Sequence, residues 1–454
     1  MANTYIYKDM TGNTPSTKMT FSCWLKKSNP ATDGRIFGAQ SIACHAYWLS
    51  TGELRVDLAA RDSSSSLGAL KTNRVFRDIN AWYHIVFALD TTLNTADDRL
   101  KIWVNGVQET SFASRSNPAQ NGTTAYGDDG YYSVGARMSQ QGSAGHYFDG
   151  LMSHVHYCDG YAYSASDFGS TDTTTGEWKI NTSPSVTHGT NGFFLKMENS
   201  ANMDLDSSTN NHSFTTAGTL TKTEDCPSNV FCTINQLSNK IAFSLANGNT
   251  TLNDNGSDDN DNGIAATMGV NSGKYYWEMK KGSGSGGVHA VITDDVDVRL
   301  GNRATNSPDS QLWGFQSNGT GAPLVSYIAG TFNSTSNPLQ GWGANDIIGF
   351  ALDMDNGKLY VSINGVFKGL DNNTSDPANA TNPAITGIPT GGKFIIPYFE
   401  KRSADSPETM CNFGNGYFGT TAVSSAGTNA SGNGIFEYDV PTGFTALSTK
   451  GLNL

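Results

Sequence analysis

Residues 19–25 (Met-Thr-Phe-Ser-Cys-Trp-Leu) alternate, with Met19, Phe21, Cys23 and Leu25 on one face, which predicts a half-buried strand. Short strands follow at Tyr47–Leu49 and Leu54–Leu58 around Thr51-Gly52. Ala81–Asp90 is a longer apolar run, and Arg99–Val104 leads into Asn105-Gly106-Val107. Asn-Gly between alternating segments predicts a tight hairpin, because both central residues need positive φ. Tyr132–Ala136 and Tyr147–Tyr157 add two strands, with Phe148-Asp149-Gly150 at a bend. The pattern then turns polar from 199 to 229 and resumes at Asn229-Val230-Phe231-Cys232. Three further strands are predicted: Lys274–Met279 after Ser272-Gly273, Asp346–Asp353, and Lys358–Val366, which carries Asn364-Gly365. Phe87-Ala88-Leu89-Asp90 before Asn105-Gly106-Val107 has a local echo in Phe350-Ala351-Leu352-Asp353 before Asn364-Gly365-Val366.

Composition agrees with this all-β reading. Of 454 residues 50 are Gly, 11% are aromatic, and only 15% are charged. Glu numbers 9, too few for a helical bundle. The net charge of −12 and the lack of clustered Lys and Arg argue against nucleic acid. No window approaches an 18-residue apolar span, so membrane insertion is not expected. Met1–Met10 has no basic region followed by an apolar stretch, so no secretory signal is expected. Six cysteines are too sparse for a disulfide scaffold. Only Cys226 and Cys232 lie close in sequence, and both a disulfide and plain thiols are open there, with thiols favoured.

Trp82–Val86, Leu100–Val107 and Phe148–Leu151 resemble successive strands of a laminin-G-like, concanavalin A-like jelly roll over roughly 1–200. That resemblance implies two face-to-face antiparallel sheets, with loops at one rim for ligands such as sugars or calcium. Lys274–Glu278, Ile348–Asp353 and Asn364-Gly365, followed by Ile395–Tyr398 and Asn412-Phe413-Gly414, resemble the SPRY domain over about 229–420. SPRY domains are interaction modules, and none of these marks is catalytic. The predicted organisation is therefore two antiparallel β-sandwiches of jelly-roll type in tandem: a first domain at 1–200, a linker at 201–228, and a second at 229–454 with a C-terminal extension.

The order of parts also resembles LamG-plus-SPRY proteins of bacteriophages, marine ones especially. It runs through Gly189–Leu195, Asp206–Phe214, Asp225–Asn229 and Tyr438–Leu447. Cys226 stands where that group usually has a small polar residue. The resemblance implies a non-enzymatic virion surface protein, a capsid decoration or tail appendage assembled in the host cytoplasm. Its implied partners are other virion proteins, host cell-surface polysaccharide and further copies of itself. The competing readings are a receptor-binding tail fibre or carbohydrate-binding adhesin, and a polysaccharide depolymerase. A fibre needs heptads or a repeat shaft, and neither is present.

The candidate chemistry is thin. A glycosidase of this fold class needs two carboxylates flanking the scissile bond. The Glu-x-Asp-x-x-Glu arrangement that places them on one strand is absent, since no two Glu are closer than eight residues. No catalytic residue is assigned, and the ligand-binding residues are unknown. His84 reads as structural. His154 and His156 share a strand face by period two, but no third metal ligand is identifiable. Asp258-Asp259-Asn260-Asp261-Asn262-Gly263 matches the first six positions of a calcium loop, yet Gly269 stands where the bidentate Glu belongs. Asp128-Asp129 is a similar weak candidate. No metal or other cofactor is therefore expected, with calcium the weak exception. Tyr126–Tyr132 offers aromatics, Asp and Gly of the kind a sugar site uses, although Tyr132 also reads as the start of a core strand.

Overall fold

The structure is a computed structural model. It describes residues 3–14, 16–39, 44–61, 65–138, 143–238, 243–254, 263–282, 287–296, 311–316, 325–329, 331–333, 339, 341–369, 373–400 and 408–453. Among these the chain is all-β, with only short single-turn helices, and no helix is long and apolar enough to cross a membrane. It divides into two units, Met1–Lys222 and Thr223–Leu454.

The first unit packs two antiparallel sheets around one core. Among the described residues the larger has eight strands, in the order Phe112–Ser116, Ser66–Val75, Glu53–Ala59, His45–Trp48, Gly34–Ala39, Gly130–Val134, Tyr5–Met10 and Thr215–Ala217. The smaller has six: Phe193–Leu195, Gly150–Asp159, Lys18–Lys27, Trp82–Asp90, Leu100–Val104 and Val107–Gln108. The predicted alternation is realised in Lys18–Lys27, where Met19, Phe21, Cys23 and Leu25 all enter the core. They meet Ile36, Phe37, Ala46, Trp48, Val56 and Leu70 from the larger sheet. Phe21 stacks on Phe37 at 4.5 Å and on Phe87 at 5.2 Å. Such offset aromatic contacts add to plain area burial.

The segment predicted as a linker, 201–228, is divided differently. Residues up to 222 belong to the first unit. Thr215–Ala217 extends the larger sheet by pairing with Tyr5–Tyr7. Phe193–Leu195 extends the smaller one, and the Asp206 carboxylate accepts N–H groups from Phe194 (2.9 Å), Ser208 (2.9 Å) and His212 (2.8 Å). The polar run looked like a connection because its Asp, Asn and Ser make turns. Those turns fold back on the sandwich and satisfy its edge backbone.

The second unit is another sandwich. Its larger sheet follows the path Phe243–Ala246, Thr251–Asp254, Thr409–Asn412, Lys274–Lys281, Ile347–Asp353, Lys358–Ile363 and Val366–Lys368. Ile385–Thr386 adds beside Lys358–Ile363, and Thr445–Ala446 pairs parallel to Tyr275-Tyr276. The other sheet runs Gly263–Ala265, Ile395–Glu400, Val288–Thr293, Leu312–Gln316, Val325–Ile328 and Thr331–Asn333. Trp277, Met279, Phe350, Leu352, Val291, Trp313, Phe315 and Phe399 fill the space between them. Cys226 and Cys232 form no disulfide, and all six cysteines keep their thiols.

Candidate functional site

Most of the Tyr126–Tyr132 segment is a brace, and only Tyr131 among its tyrosines is left partly exposed. Tyr126 and Tyr132 are both 0% exposed. Tyr126 stacks on Phe37 at 5.2 Å, and Tyr157 donates its hydroxyl to the Tyr126 carbonyl at 2.7 Å. Asp128 is buried against Arg61, which also donates to the carbonyls of Thr14 (2.7 Å) and Gly127 (3.1 Å). Of the two aspartates only Asp129 faces solvent, so Asp128 and Asp129 do not converge on a common point. Asp258–Asn262 lies outside the described residues.

The histidines are held by aromatic neighbours. His84 lies between the rings of Trp24 (4.9 Å) and Trp178 (6.0 Å). Trp178 Nε1 donates to His84 Nδ1 at 3.0 Å, so Nε2 carries the proton and donates to Ser22 Oγ at 2.8 Å. Burial pushes its pKa down to about 3, so it stays neutral. His154 sits in a strand irregularity between Ser153 and His156 with φ of 49°, and its Nδ1 is 2.7 Å from Ser153 Oγ. His156 stacks on Phe194 at 3.8 Å, with Nδ1 3.3 Å from His188 Nε2. Among the described residues no three His, Cys, Asp or Glu side chains come together as a metal cage. In the second unit Glu278, 0% exposed, accepts from the N–H groups of Glu437 (2.8 Å) and Tyr438 (2.9 Å), Tyr276 Oη (3.1 Å) and Asn412 Nδ2 (3.4 Å). Burial pushes its carboxyl up to about 7 against the pull of these donors. This group pins the C-terminal segment to the sheet and leaves no lone pair for chemistry.

The outward face of the eight-stranded sheet is different. Ile6 enters the core, so by period two Tyr5 and Tyr7 point out; Tyr132 enters it, so Tyr131 points out. Together with Tyr147 they form a row of half-buried rings. Centroids are 5.9 Å apart for Tyr147–Tyr5, 5.6 Å for Tyr5–Tyr7 and 6.1 Å for Tyr7–Tyr131. Three of the four come from two hydrogen-bonded strands, with Tyr7 opposite Ser133 and Asp9 opposite Tyr131. The spacing is therefore set by the backbone ladder. The alternating Tyr5-Ile6-Tyr7 was the available sequence signal, but its meaning depended on which strand lies beside it.

The row continues into a charged cluster. Ala46 and Trp48 enter the core, which turns His45 and Tyr47 outward; Val56 does the same for Arg55 and Asp57. The Arg35 guanidinium lies 3.6 Å above the Tyr47 ring centroid. Tyr47 donates to Asp57 Oδ2 at 3.0 Å, and Arg55 Nε holds Asp57 Oδ1 at 2.9 Å. The cluster adjoins the row through His146, whose carbonyl accepts the Arg35 backbone N–H at 3.0 Å, next to Tyr147. Flat aromatic faces with phenol groups at their edges can stack on the C–H faces of a ring sugar and bond its hydroxyls.

Residues 2–168 match the Laminin_G_3 family profile, the concanavalin A-like lectin/glucanases superfamily. The first unit is thus a laminin-G, concanavalin A-like jelly roll. Similar solved structures include the TRIM65 PSpry domain (16% identity, 40% of this chain and 91% of that one, TM-score 0.29). The human HERC1 SPRY domain is another (14%, 39% and 96%, TM-score 0.28). A third is the native heptameric SAP-like pentraxin of Limulus polyphemus (14%, 48% and 90%, TM-score 0.30). No curated protein matches the chain.

Proposed function

We propose that this is a non-catalytic virion surface protein whose first unit binds a saccharide along the row Tyr147, Tyr5, Tyr7 and Tyr131. The observation that carries the binding is the row itself: four half-buried rings at regular spacing on the outward face of a lectin-like sandwich. The non-catalytic reading is supported by two of the carboxylates on that face. Asp57 is held by Tyr47 and Arg55, and Glu53 by Lys71 at 3.1 Å, so neither is poised to transfer a proton. The virion setting is supported by the order of sequence marks, and its partners there are other virion proteins and host-surface polysaccharide. The test exposes the full chain to an array of bacterial surface oligosaccharides and assays reducing ends. Binding without new reducing ends, lost on Tyr5→Ala with Tyr7→Ala, is expected. Cleavage, or binding indifferent to both tyrosines, overturns the reading. Labelling intact particles checks the setting, and absence of the protein from them counts against it.

A further inference from the structure

We propose that Arg35, with Arg137 beside it, makes the saccharide site of the first unit selective for a sugar carrying an oxyanion, a carboxylate or a sulfate ester. The inference rests on the tyrosine row being the saccharide platform and adds the charge of the ligand.

Arg35 is a fixed cation with unused hydrogen-bonding capacity. Its guanidinium is clamped by the stack on Tyr47, itself tied to Asp57 and Arg55. Nε and Nη1 are buried and find no acceptor among the described residues. A guanidinium does not deprotonate in a protein, so it keeps its five donors. Leaving a buried charged donor unpaired costs more than a neutral one, which favours any acceptor that can approach. Nη2 is not among the buried atoms, so it is the donor an acceptor from solvent reaches, with Nε and Nη1 behind it.

The neighbours point the same way. His45 is 3% exposed and its Nε2 is buried without a partner. Burial chiefly, with Arg35, Arg137 and His146 adding to it, holds its pKa down to about 3. The two nearby carboxylates make their hydrogen bonds elsewhere, Asp57 to Tyr47 and Arg55, and Asp33 to the Ser50 N–H at 2.6 Å, while their charges still act on Arg35. The chain as a whole carries −12. Long-range attraction therefore works against an anion, and any preference for one must come from this cluster. Tyr47 is covered by Arg35, so its ring serves the cation and not the sugar. The open rings are those of the row, and the Arg35 backbone meets the Tyr147 end of it through the His146 carbonyl.

The test measures affinity of the full chain for polyglucuronate oligosaccharides and for the same oligosaccharides with carboxyls reduced to alcohols. A second pair, dextran sulfate and dextran, separates sulfate from carboxylate. At least one acidic member should bind about tenfold tighter than its neutral counterpart, the size of one charge-assisted hydrogen bond. Arg35→Gln should bring that ratio close to one, and Arg137→Gln, at a half-exposed position, should lower it less. A thermal melt guards against misfolding, and the Arg137→Gln result stands if Arg35→Gln does not fold. Equal affinity for acidic and neutral members, no binding of either, or a ratio unchanged in both variants overturns the proposal. Neutral oligosaccharides bound through Tyr5 and Tyr7 with no acidic preference would leave the saccharide reading intact and remove only this one. Acidic binding that needs Arg35 but ignores Tyr5→Ala would remove the tyrosine platform and overturn this proposal with it.

Discussion

The two units repeat one local device and finish it with different chemistry. In each, a strand opens on a lysine that pairs across the sheet with the aspartate ending its neighbour: Lys18 with Asp90 at 3.0 Å, Lys274 with Asp353 at 3.3 Å. In each, an Asn-Gly turn follows, with φ of 48° and 80° at Asn105-Gly106 and 49° and 81° at Asn364-Gly365. The Asn side chain then accepts a backbone N–H from the preceding strand, from His84 at 2.7 Å in one unit and from Ile347 at 2.9 Å in the other. A later aromatic lies where a Cβ on the turn glycine would sit, Trp178 on Gly106 and Tyr438 on Gly365. The fourth residue after the lysine decides the rest. Ser22 meets a neutral imidazole that takes the Trp178 N–H, whereas Glu278 takes two backbone N–H groups of the covering segment directly. The frame is thus closed by a neutral anchor in one unit and by a carboxylate in the other. Their response to protons and to truncation should differ accordingly.

Acid should separate them most. His84 and His45 are held down to about 3, and His156 is also lowered, all chiefly by burial. A folded pKa below the unfolded 6.5 means stability is full above about 6.5 and is lost as pH falls toward 3, on the order of 4 kcal/mol per fully buried imidazole. Asp149 and Asp159, raised by burial, work the other way and temper that loss. In the second unit His289, also held to about 3, follows the same sign. Glu278, raised from 4.5 to about 7, contributes stability below 4.5 that is lost as pH rises through 7. It therefore opposes His289 between about 4.5 and 6.5. Hydrogen exchange at pH 4.5 and 7.5 should show the first unit opening more on acidification. Equal loss in both would erase the distinction.

Truncating the anchors comes next. Glu278→Ala strands two partly buried backbone donors and should cost the second unit about 3 kcal/mol in denaturant unfolding, against about 1 kcal/mol in the first for Ser22→Ala. Gly106→Ala and Gly365→Ala should each cost about 2 kcal/mol, combining left-handed strain with a Cβ driven into the ring of Trp178 or Tyr438. Similar losses at both turns would support the shared plan, and a harmless change at either would break it. The smallest effect is Trp178→Phe. It keeps most of the packing but removes the donor to His84 Nδ1, at about 1 kcal/mol, and should move the acid transition of the first unit upward in pH.

Much of this frame was legible in the chain. Alternation located Lys18–Lys27, and Asn-Gly located both hairpins, because those signals are local and need no partner. The site was not. Tyr126 and Tyr132 carry the residue types of a sugar loop, yet the strand alternation and the packing of Phe37 draw them inward. Tyr5 and Tyr7 carry no such mark, and they matter because Gly130–Val134 and Tyr147 lie beside them. Residues 201–222 read as a linker since polarity reports turns but not where the turns dock.

The sequence by itself determined the all-β class, the two successive sandwich patterns, the tight Asn-Gly turns and the absence of a one-strand glycosidase motif. Each of these depends on residue type and on spacings of a few positions. Tertiary structure alone decided which tyrosines form a surface, which histidines are sealed between aromatic rings, and where Arg35 finds Tyr47. Those depend on strand register between segments that lie far apart in the chain, where a slip of one residue would turn every side chain to the opposite face.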